Sequence, residues 1–318
     1  MKTDNSGLIS CAALSHCVIC PRGCGVDRLS GAAGYCGAVG DGVRVSLVSL
    51  HKWEEPCLVG ADGRGAGTVF FSHCSLRCVF CQNSVISSGG TGIDISVERL
   101  AEIFLEQQAR GAATLDLVTP THYTPQIITA LREAKARSLT LPVVWNSSGY
   151  ERADVIRAIA DDVDIFLPDM KYIDGESAAK YSGAADYPSI AMNAVREMVS
   201  AKGKAVMGAD GQMKSGVIVR HMVLPGRRRE SMRIVDWLHE EFADDIIISL
   251  MSQYTPMYRA KSDARYHEIS RRLTTFEYES VTEHALDIGV TRCYTQERRA
   301  ASVEYVPSFD GSGVISAE

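Results

Sequence analysis

The sequence predicts an α/β protein, a partial (βα)6 TIM-like barrel preceded by a small N-terminal cysteine-rich metal-binding module. Three observations carry this expectation. From Gly67 onward, short β-branched runs alternate with longer stretches of helical spacing, the texture of repeated βα units. The runs are apolar nearly throughout, as strands covered on both faces must be. Six such runs are fewer than the eight of a closed barrel, so the sheet is expected to stay open.

Taken in chain order, the stretch 1–66 is rich in Gly and Cys and alternates apolar residues only around Val43 to Val48. That is too little core to fold alone without a metal. The expected strands are Thr68 to Phe71, Leu115 to Val118, Pro142 to Trp145, Val163 to Leu167, Val217 to Arg220 and Ile246 to Leu250. Ser96 is the expected N-cap of a helix that places Leu100, Ile103, Phe104 and Gln107 on one face. Further helices are expected from Pro125 to Ala136, Arg152 to Ala160, Pro188 to Ala201 and Ser231 to Phe242. A last amphipathic helix near His267 to Leu286 and a polar tail complete the chain. The expected division is a module over 1–66, the barrel over 67–295 and a tail over 296–318.

With 46% hydrophobic and 23% charged residues, the composition excludes wholesale disorder. The net charge of −6 leaves no broad basic footprint, so nucleic acid is not the expected partner. No apolar run approaches the roughly 18 residues of a membrane helix, so no membrane is expected either. The start, Met1-Lys2-Thr3-Asp4-Asn5, lacks the apolar core of a secretory signal, and a cytoplasmic location is expected.

Eight of the ten cysteines fall between Cys17 and Cys81, and seven of those form two tight groups. In a reducing compartment such spacing points to metal ligands rather than disulfides. In βα folds chemistry sits where strands end. Here those ends carry Cys74-x3-Cys78-x2-Cys81, Thr119-Pro120-Thr121-His122, Asn146-Ser147-Ser148-Gly149, Asp169-Met170-Lys171, His221, and Ser252-Gln253-Tyr254. Ordinary loop polarity accounts for one or two of these and poorly for all six. Three thiolates within eight residues can hold three irons of a [4Fe–4S] cluster, leaving one iron open. A three-cysteine zinc centre is the competing chemistry.

The loop Cys74-Ser75-Leu76-Arg77-Cys78-Val79-Phe80-Cys81 resembles the CxxxCx(aromatic)C loop of the radical S-adenosylmethionine (SAM) superfamily, with Phe80 as the aromatic. Gly65 to Ser72 before it and Gln82-Asn83 after it resemble the glycyl-radical activating enzyme branch. Cys20-Pro21-Arg22, Glu54-Glu55-Pro56-Cys57, Leu117 to Tyr123, Leu167 to Tyr172, Arg220-His221 and Leu250 to Tyr254 are similar to the pyruvate formate-lyase activating enzyme-like proteins of that branch. The resemblance covers nearly the whole chain.

The resemblance implies an oxidoreductase in which a [4Fe–4S] cluster on Cys74, Cys78 and Cys81 passes one electron into SAM. The sulfonium C–S bond breaks, and a 5′-deoxyadenosyl radical abstracts hydrogen from a substrate. It implies a low-potential electron donor such as flavodoxin or ferredoxin. Phe80 would contact SAM, and Thr119, Pro120 and Thr121 stand where relatives grip the methionyl amine, without the acidic residue those relatives have. Asn146 and Ser147 stand on an Asp-Thr pair of relatives and Asp169 and Lys171 on their Asp-x-Lys, a region that approaches the methionyl group and can host a monovalent cation. Arg220 is suited to the methionine carboxylate through a bidentate fork, with a structural ion pair as the equal alternative. Tyr254 replaces a histidine of the relatives.

Cys17-x2-Cys20-x3-Cys24-x11-Cys36 is expected to hold a second metal. A structural zinc site fits the spacing, and an auxiliary iron–sulfur cluster fits too, with the balance slightly toward zinc. Cys11, Cys57 and Cys293 read as small hydrophobes. Arg227-Arg228-Arg229 reads as a solvated loop. The first functional expectation is therefore a radical SAM enzyme acting on a protein or peptide, because an open barrel leaves a wide lateral mouth. The alternatives are a non-catalytic iron–sulfur electron-relay protein and a radical enzyme acting on a small molecule.

Overall fold

In the computed structural model of the chain, which describes residues 6–296 and 307–315, ten strands join one sheet. They are β1 (Val43–His51), β2 (Ala66–Phe71), β3 (Ile93–Ile95), β4 (Leu115–Val118), β5 (Val143–Ser147), β6 (Ile165–Pro168), β7 (Val206–Met207), β8 (Met213–Met222), β9 (Ile247–Met251) and β10 (Cys293–Thr295). Their order is β10-β9-β8-β6-β5-β4-β2-β1-β3, with β7 paired to β8. The six expected strands are β2, β4, β5, β6, β8 and β9. They stand side by side, every neighbouring pair parallel. β10 adds a further parallel strand to β9, whereas β1 and β3 extend the other end antiparallel. The architecture is α/β with a mostly parallel sheet, and β3 and β10 are its two ends.

The strands form where the sequence is apolar on both faces: every residue of β2, β6 and β9 is buried. Nine α-helices accompany them among the described residues: α1 (Ser84–Ser87), α2 (Val97–Ala109), α3 (Thr124–Ala136), α4 (Ala153–Ile159), α5 (Gly175–Ser182), α6 (Tyr187–Lys202), α7 (Arg228–Phe242), α8 (Arg259–Ser262) and α9 (Thr275–Asp287). Ser96 caps α2 as expected, its side chain accepting from the Arg99 N–H. Helix α7 begins three residues earlier than expected, so Arg228 and Arg229 form its first turn instead of a free loop.

The single helix expected near His267 to Leu286 is divided. Residues Ala264–Ile269 form a short 3-10 segment, and α9 starts only after Thr274, where Thr274 and Glu277 make a reciprocal capping box. That local pairing ends one element and begins the next, and hydrophobic spacing alone does not register it.

The N-terminal stretch is tied to the barrel sheet. β1 lies within residues 1–66 and pairs with β2 from Val45↔Phe71 to His51↔Ala66. The described part of the tail is tied there too: Ser312 O accepts from Val48 N, and Gly311 N donates to Ser46 O. No helix among the described residues is long and apolar enough to cross a membrane.

The chain after β5 passes close to the end of β6 at Gly149. Its φ is +75°, and a Cβ there would lie 2.2 Å from the Asp169 carbonyl oxygen. Tyr187 locks the same junction, its hydroxyl 2.7 Å from Asp169 O and accepting from Lys171 N–H at 2.9 Å. Left-handed strain and overpacking add for Gly149→Ala, which is expected to destabilise the fold by roughly 2–5 kcal/mol. Denaturant unfolding measures this, and a variant as stable as wild type would contradict the packing described.

Candidate active site

Parallel strands in register bring their C-terminal ends to one rim, and a cavity of about 670 Å3 lies there. Its lining draws on β2 (Phe71), β4 (Val118), β5 (Asn146 and Ser147), β8 (Arg220) and β10 (Thr295), and on the loops that follow. The sheet is therefore wrapped around this space. Cys74, Cys78, Phe80 and Cys81 form part of the wall.

The loop holding these cysteines is built for sulfur. Leu76 N donates to Cys74 Sγ at 3.3 Å, Ser87 Oγ lies 3.2 Å from Cys81 Sγ, and Ser182 Oγ donates to Cys78 Sγ at 3.0 Å. His73 immediately before the loop has a φ of +74°, which turns the chain sharply out of β2. Burial, then the charge of Cys78, pushes the Cys74 thiol far above its ordinary range and the Cys81 thiol up to about 11. Thiols raised in this way, as those of Cys74 and Cys81 are, ionise together only around a cation. Among the described residues no group of three or more His, Cys, Asp or Glu side chains is gathered tightly enough to hold a metal ion. The donor set and its N–H and O–H partners nevertheless fit an iron–sulfur cluster, and these three cysteines would hold it.

Lys171 and Asp169 face the loop from the end of β6, with Nζ 2.5 Å from Asp169 Oδ2. Burial opposes the ammonium charge, yet Asp169 and then Cys78 hold Lys171 well above the lysine range. Thr119, Asn146 and Ser147 also line the cavity. Thr119 adopts a φ of +61°, costly for a β-branched residue, and its N–H is held by Asn146 O at 2.8 Å.

Three other expected contacts lie elsewhere. Pro120 precedes a short 3-10 turn, and Thr121 points away from the cavity, donating to Glu151 Oε1 at 2.6 Å. Tyr254 packs edge-on against Phe80, with ring centroids 5.9 Å apart, and donates to Ile269 O. None of the three is among the cavity-lining residues. Arg220 does line the cavity, but its fork is taken: Nε and Nη2 donate to the two oxygens of Glu55 at 2.7 and 2.5 Å, and Nη2 also reaches Glu54. Burial works against Glu55, but the Arg220 charge keeps its carboxyl below the ordinary range. The structural ion pair is the arrangement present.

Glu54 and Glu55 are the wall residues that pattern reading passed over as ligands, although Glu54-Glu55-Pro56-Cys57 stood in the resemblance. Asp116 on β4 is a second omission. It is fully buried, accepts from Asn146 Nδ2 at 3.3 Å, and has one carboxylate oxygen without a partner. Burial, then Glu54, pushes its carboxyl far above the usual range. An acid inside a strand was the available signal.

The N-terminal cysteines are also neighbours. Cys17, Cys24 and Cys36 all act electrostatically on Cys20. Tyr35 N donates to Cys24 Sγ at 3.4 Å, and Ala38 N to Cys36 Sγ at 3.5 Å. Cys17 N and Val26 O pair across the knuckle at 2.9 Å.

The family profile described as "Radical SAM superfamily" matches residues 68–238, over half of the chain. The uncharacterized protein MJ0674 of Methanocaldococcus jannaschii is 28% identical over 281 residues, spanning 85% of this chain and 74% of that protein. Among solved structures, SuiB of Streptococcus suis bound to its precursor peptide SuiA superposes with a TM-score of 0.48 at 12% identity, covering 70% of this chain and 46% of SuiB. SuiB bound to S-adenosylmethionine gives 0.47 at 12% identity, covering 70% and 48%. The chain thus spans about half the length of SuiB.

Two outcomes are expected. Cys74→Ala, Cys78→Ala and Cys81→Ala should each abolish the iron–sulfur absorption of the anaerobically reconstituted protein. Retention of full iron and sulfide by all three would refute the ligand set. The second concerns Glu151, whose carboxyl burial lifts to about 7 from an ordinary 4.5 against the donors Thr121 and Trp145. A raised folded value means stability is complete below about pH 4.5 and is lost as pH climbs through about 7. Glu151→Gln is expected to flatten the stability profile across that window, and an undiminished slope in urea titrations at several pH values would exclude the assignment.

Proposed function

The chain belongs to the radical SAM superfamily, and on that membership we propose that it is an oxidoreductase that abstracts hydrogen from a protein or peptide, in the manner of glycyl-radical activation. Cys74, Cys78 and Cys81 would hold a [4Fe–4S] cluster, which when reduced would supply the electron for splitting SAM into methionine and a 5′-deoxyadenosyl radical. A low-potential flavodoxin or ferredoxin delivers that electron. A reducing compartment such as the cytoplasm suits a chain whose clustered cysteines serve as metal ligands.

The chain's own residues divide the remaining work. Lys171 and Asp169 present a charge pair beside the cysteine loop, matched to a zwitterionic amino acid. Thr119 and Asn146 offer polar groups on the neighbouring strand ends. Phe80, Leu76 and Ile86 keep part of the wall apolar and exclude water from a reactive radical. An electron-relay protein has no use for this polar lining around its cluster.

One observation supports the macromolecular substrate. The cavity is lined by His51 at the end of β1 and by Thr295 of β10, strands near opposite ends of the sheet that do not pair with each other. The reaction space therefore extends to the side where the barrel is not closed by strands, which suits an entering loop. Cys17, Cys20, Cys24 and Cys36 hold the second metal in this reading, zinc ahead of a second cluster, because the N–H donors to Cys24 and Cys36 suit a knuckle that ties loops together.

The test uses the reconstituted, reduced protein with unlabelled SAM and a deuterated cell extract divided by size. Deuterium is expected in 5′-deoxyadenosine when the macromolecular fraction is supplied. Deuterium arising only from the small-molecule fraction would overturn the protein-substrate reading, and no 5′-deoxyadenosine under any condition would overturn the enzyme itself.

A further inference from the structure

Three side chains join the N-terminal cysteine knuckle to the loop that carries Cys74, Cys78 and Cys81. Arg22 lies two residues after Cys20, inside a turn that Gly23 N–H closes by donating to Cys20 O at 3.0 Å. Its guanidinium then leaves the knuckle: Nε donates to Ser75 O at 2.9 Å, inside the cluster loop, and Nη1 donates to Gly183 O at 2.8 Å. Gly183 caps α5 directly after Ser182, whose hydroxyl donates to Cys78 Sγ at 3.0 Å and meets Tyr172 Oη at 2.8 Å. One guanidinium thus holds both the cluster loop and the helix end that supplies a hydrogen bond to a cluster ligand.

Tyr35 is the platform. It precedes Cys36, and its N–H donates to Cys24 Sγ. The Arg22 guanidinium carbon lies 3.9 Å from its ring centroid and that of Arg77 4.4 Å. Arg77, the residue before Cys78, also donates to Tyr35 O at 2.9 Å. Gly183 stands against the same residue, a Cβ there lying 3.3 Å from Tyr35 Oη. Both arginines are fixed by a tyrosine whose own backbone is fixed by the knuckle.

We infer that the N-terminal cysteine knuckle braces the catalytic cluster loop, and that Arg22 is the positioning residue through which it does so. The inference rests on the second-metal reading only for what holds Tyr35 and Arg22 in place. Hydrogen bonds to ligand sulfur raise the reduction potential of an iron–sulfur cluster by stabilising the more negative state. Releasing Gly183 and Ser182 therefore lowers that potential.

The experiment measures the midpoint potential and the electron paramagnetic resonance spectrum of the reduced cluster, with iron and zinc determined on each sample. Arg22→Ala is expected to keep both metals, lower the potential and broaden the spectrum, and Tyr35→Leu should give the same change without removing a donor to Ser75. Ser182→Ala should reproduce the fall in potential, and Arg22→Ala combined with it should add little, because both act through one hydrogen bond. Wild-type potential and spectrum in both Arg22→Ala and Tyr35→Leu, or full additivity with Ser182→Ala, would overturn the inference. Cys20→Ser separates the two readings. If it loses the second metal yet keeps the wild-type potential, the brace fails while the metal reading stands. If wild-type protein holds no second metal, that reading fails and the Arg22→Ala potential alone decides the brace.

Discussion

Parallel pairing in one register is the constraint on which the site depends. Phe70, Val118, Asn146 and Leu167 are successive partners across β2, β4, β5 and β6. The residues that follow therefore arrive together at one rim whatever their separation in sequence. A slip of one residue in any pair would exchange the two faces of that strand, sending Trp145 toward the cavity in place of Asn146. The same register places Asp116 two residues below Val118 on the same face, where Asn146 reaches it. Chemistry at the rim is thus a consequence of hydrogen bonding along the strands, far from the reacting atoms.

Charge imposes the second requirement. Arg220 is only 14% exposed and meets two carboxylates that are less exposed still. A lone buried guanidinium is costly, and removing one partner of such a group leaves the other uncompensated. Glu54 and Glu55 follow β1, so the antiparallel pairing of β1 with β2 is what delivers them. Two carboxylates against one guanidinium leave negative charge on this wall, which adds to burial in raising the Asp116 carboxyl above its ordinary range. Across the cavity, Lys171 offsets the cysteine loop. The site therefore has a balanced charge pair at Lys171 and Asp169 and an acidic excess at Glu54 and Glu55.

What the sequence made legible follows from periodicity. Strands buried on both faces announce themselves as apolar runs, and β2, β4, β5, β6, β8 and β9 all lie where such runs stand. Three cysteines at tight spacing announce themselves too. Neighbouring residues at a strand end are harder, because Thr119 and Thr121 share one short motif yet face different surroundings. Tyr254 is set apart for a related reason: its ring packs edge-on against Phe80 and is not among the cavity-lining residues. Glu54 and Glu55 carry no periodic signal at all, since their role comes from a β1 pairing set by long-range register. The capping box at Thr274 was readable in principle, as a Thr followed three residues later by Glu.

The cysteine loop shows where motif and fold divide their labour. The motif supplies three sulfurs and, from its own backbone, the N–H of Leu76. The remaining polar partners come from progressively farther away: Ser87 in the short helix after the loop, then Ser182 at the end of α5, 104 residues along the chain from Cys78. A short peptide with the same spacing would carry the ligands but not that last hydrogen bond, nor Lys171 beside them. Ligand identity is thus a local property of the sequence, whereas the electrostatic surroundings of those ligands are assembled by the parallel sheet and its helices. Changes distant from the loop can therefore alter what its three sulfurs do while leaving all three in place.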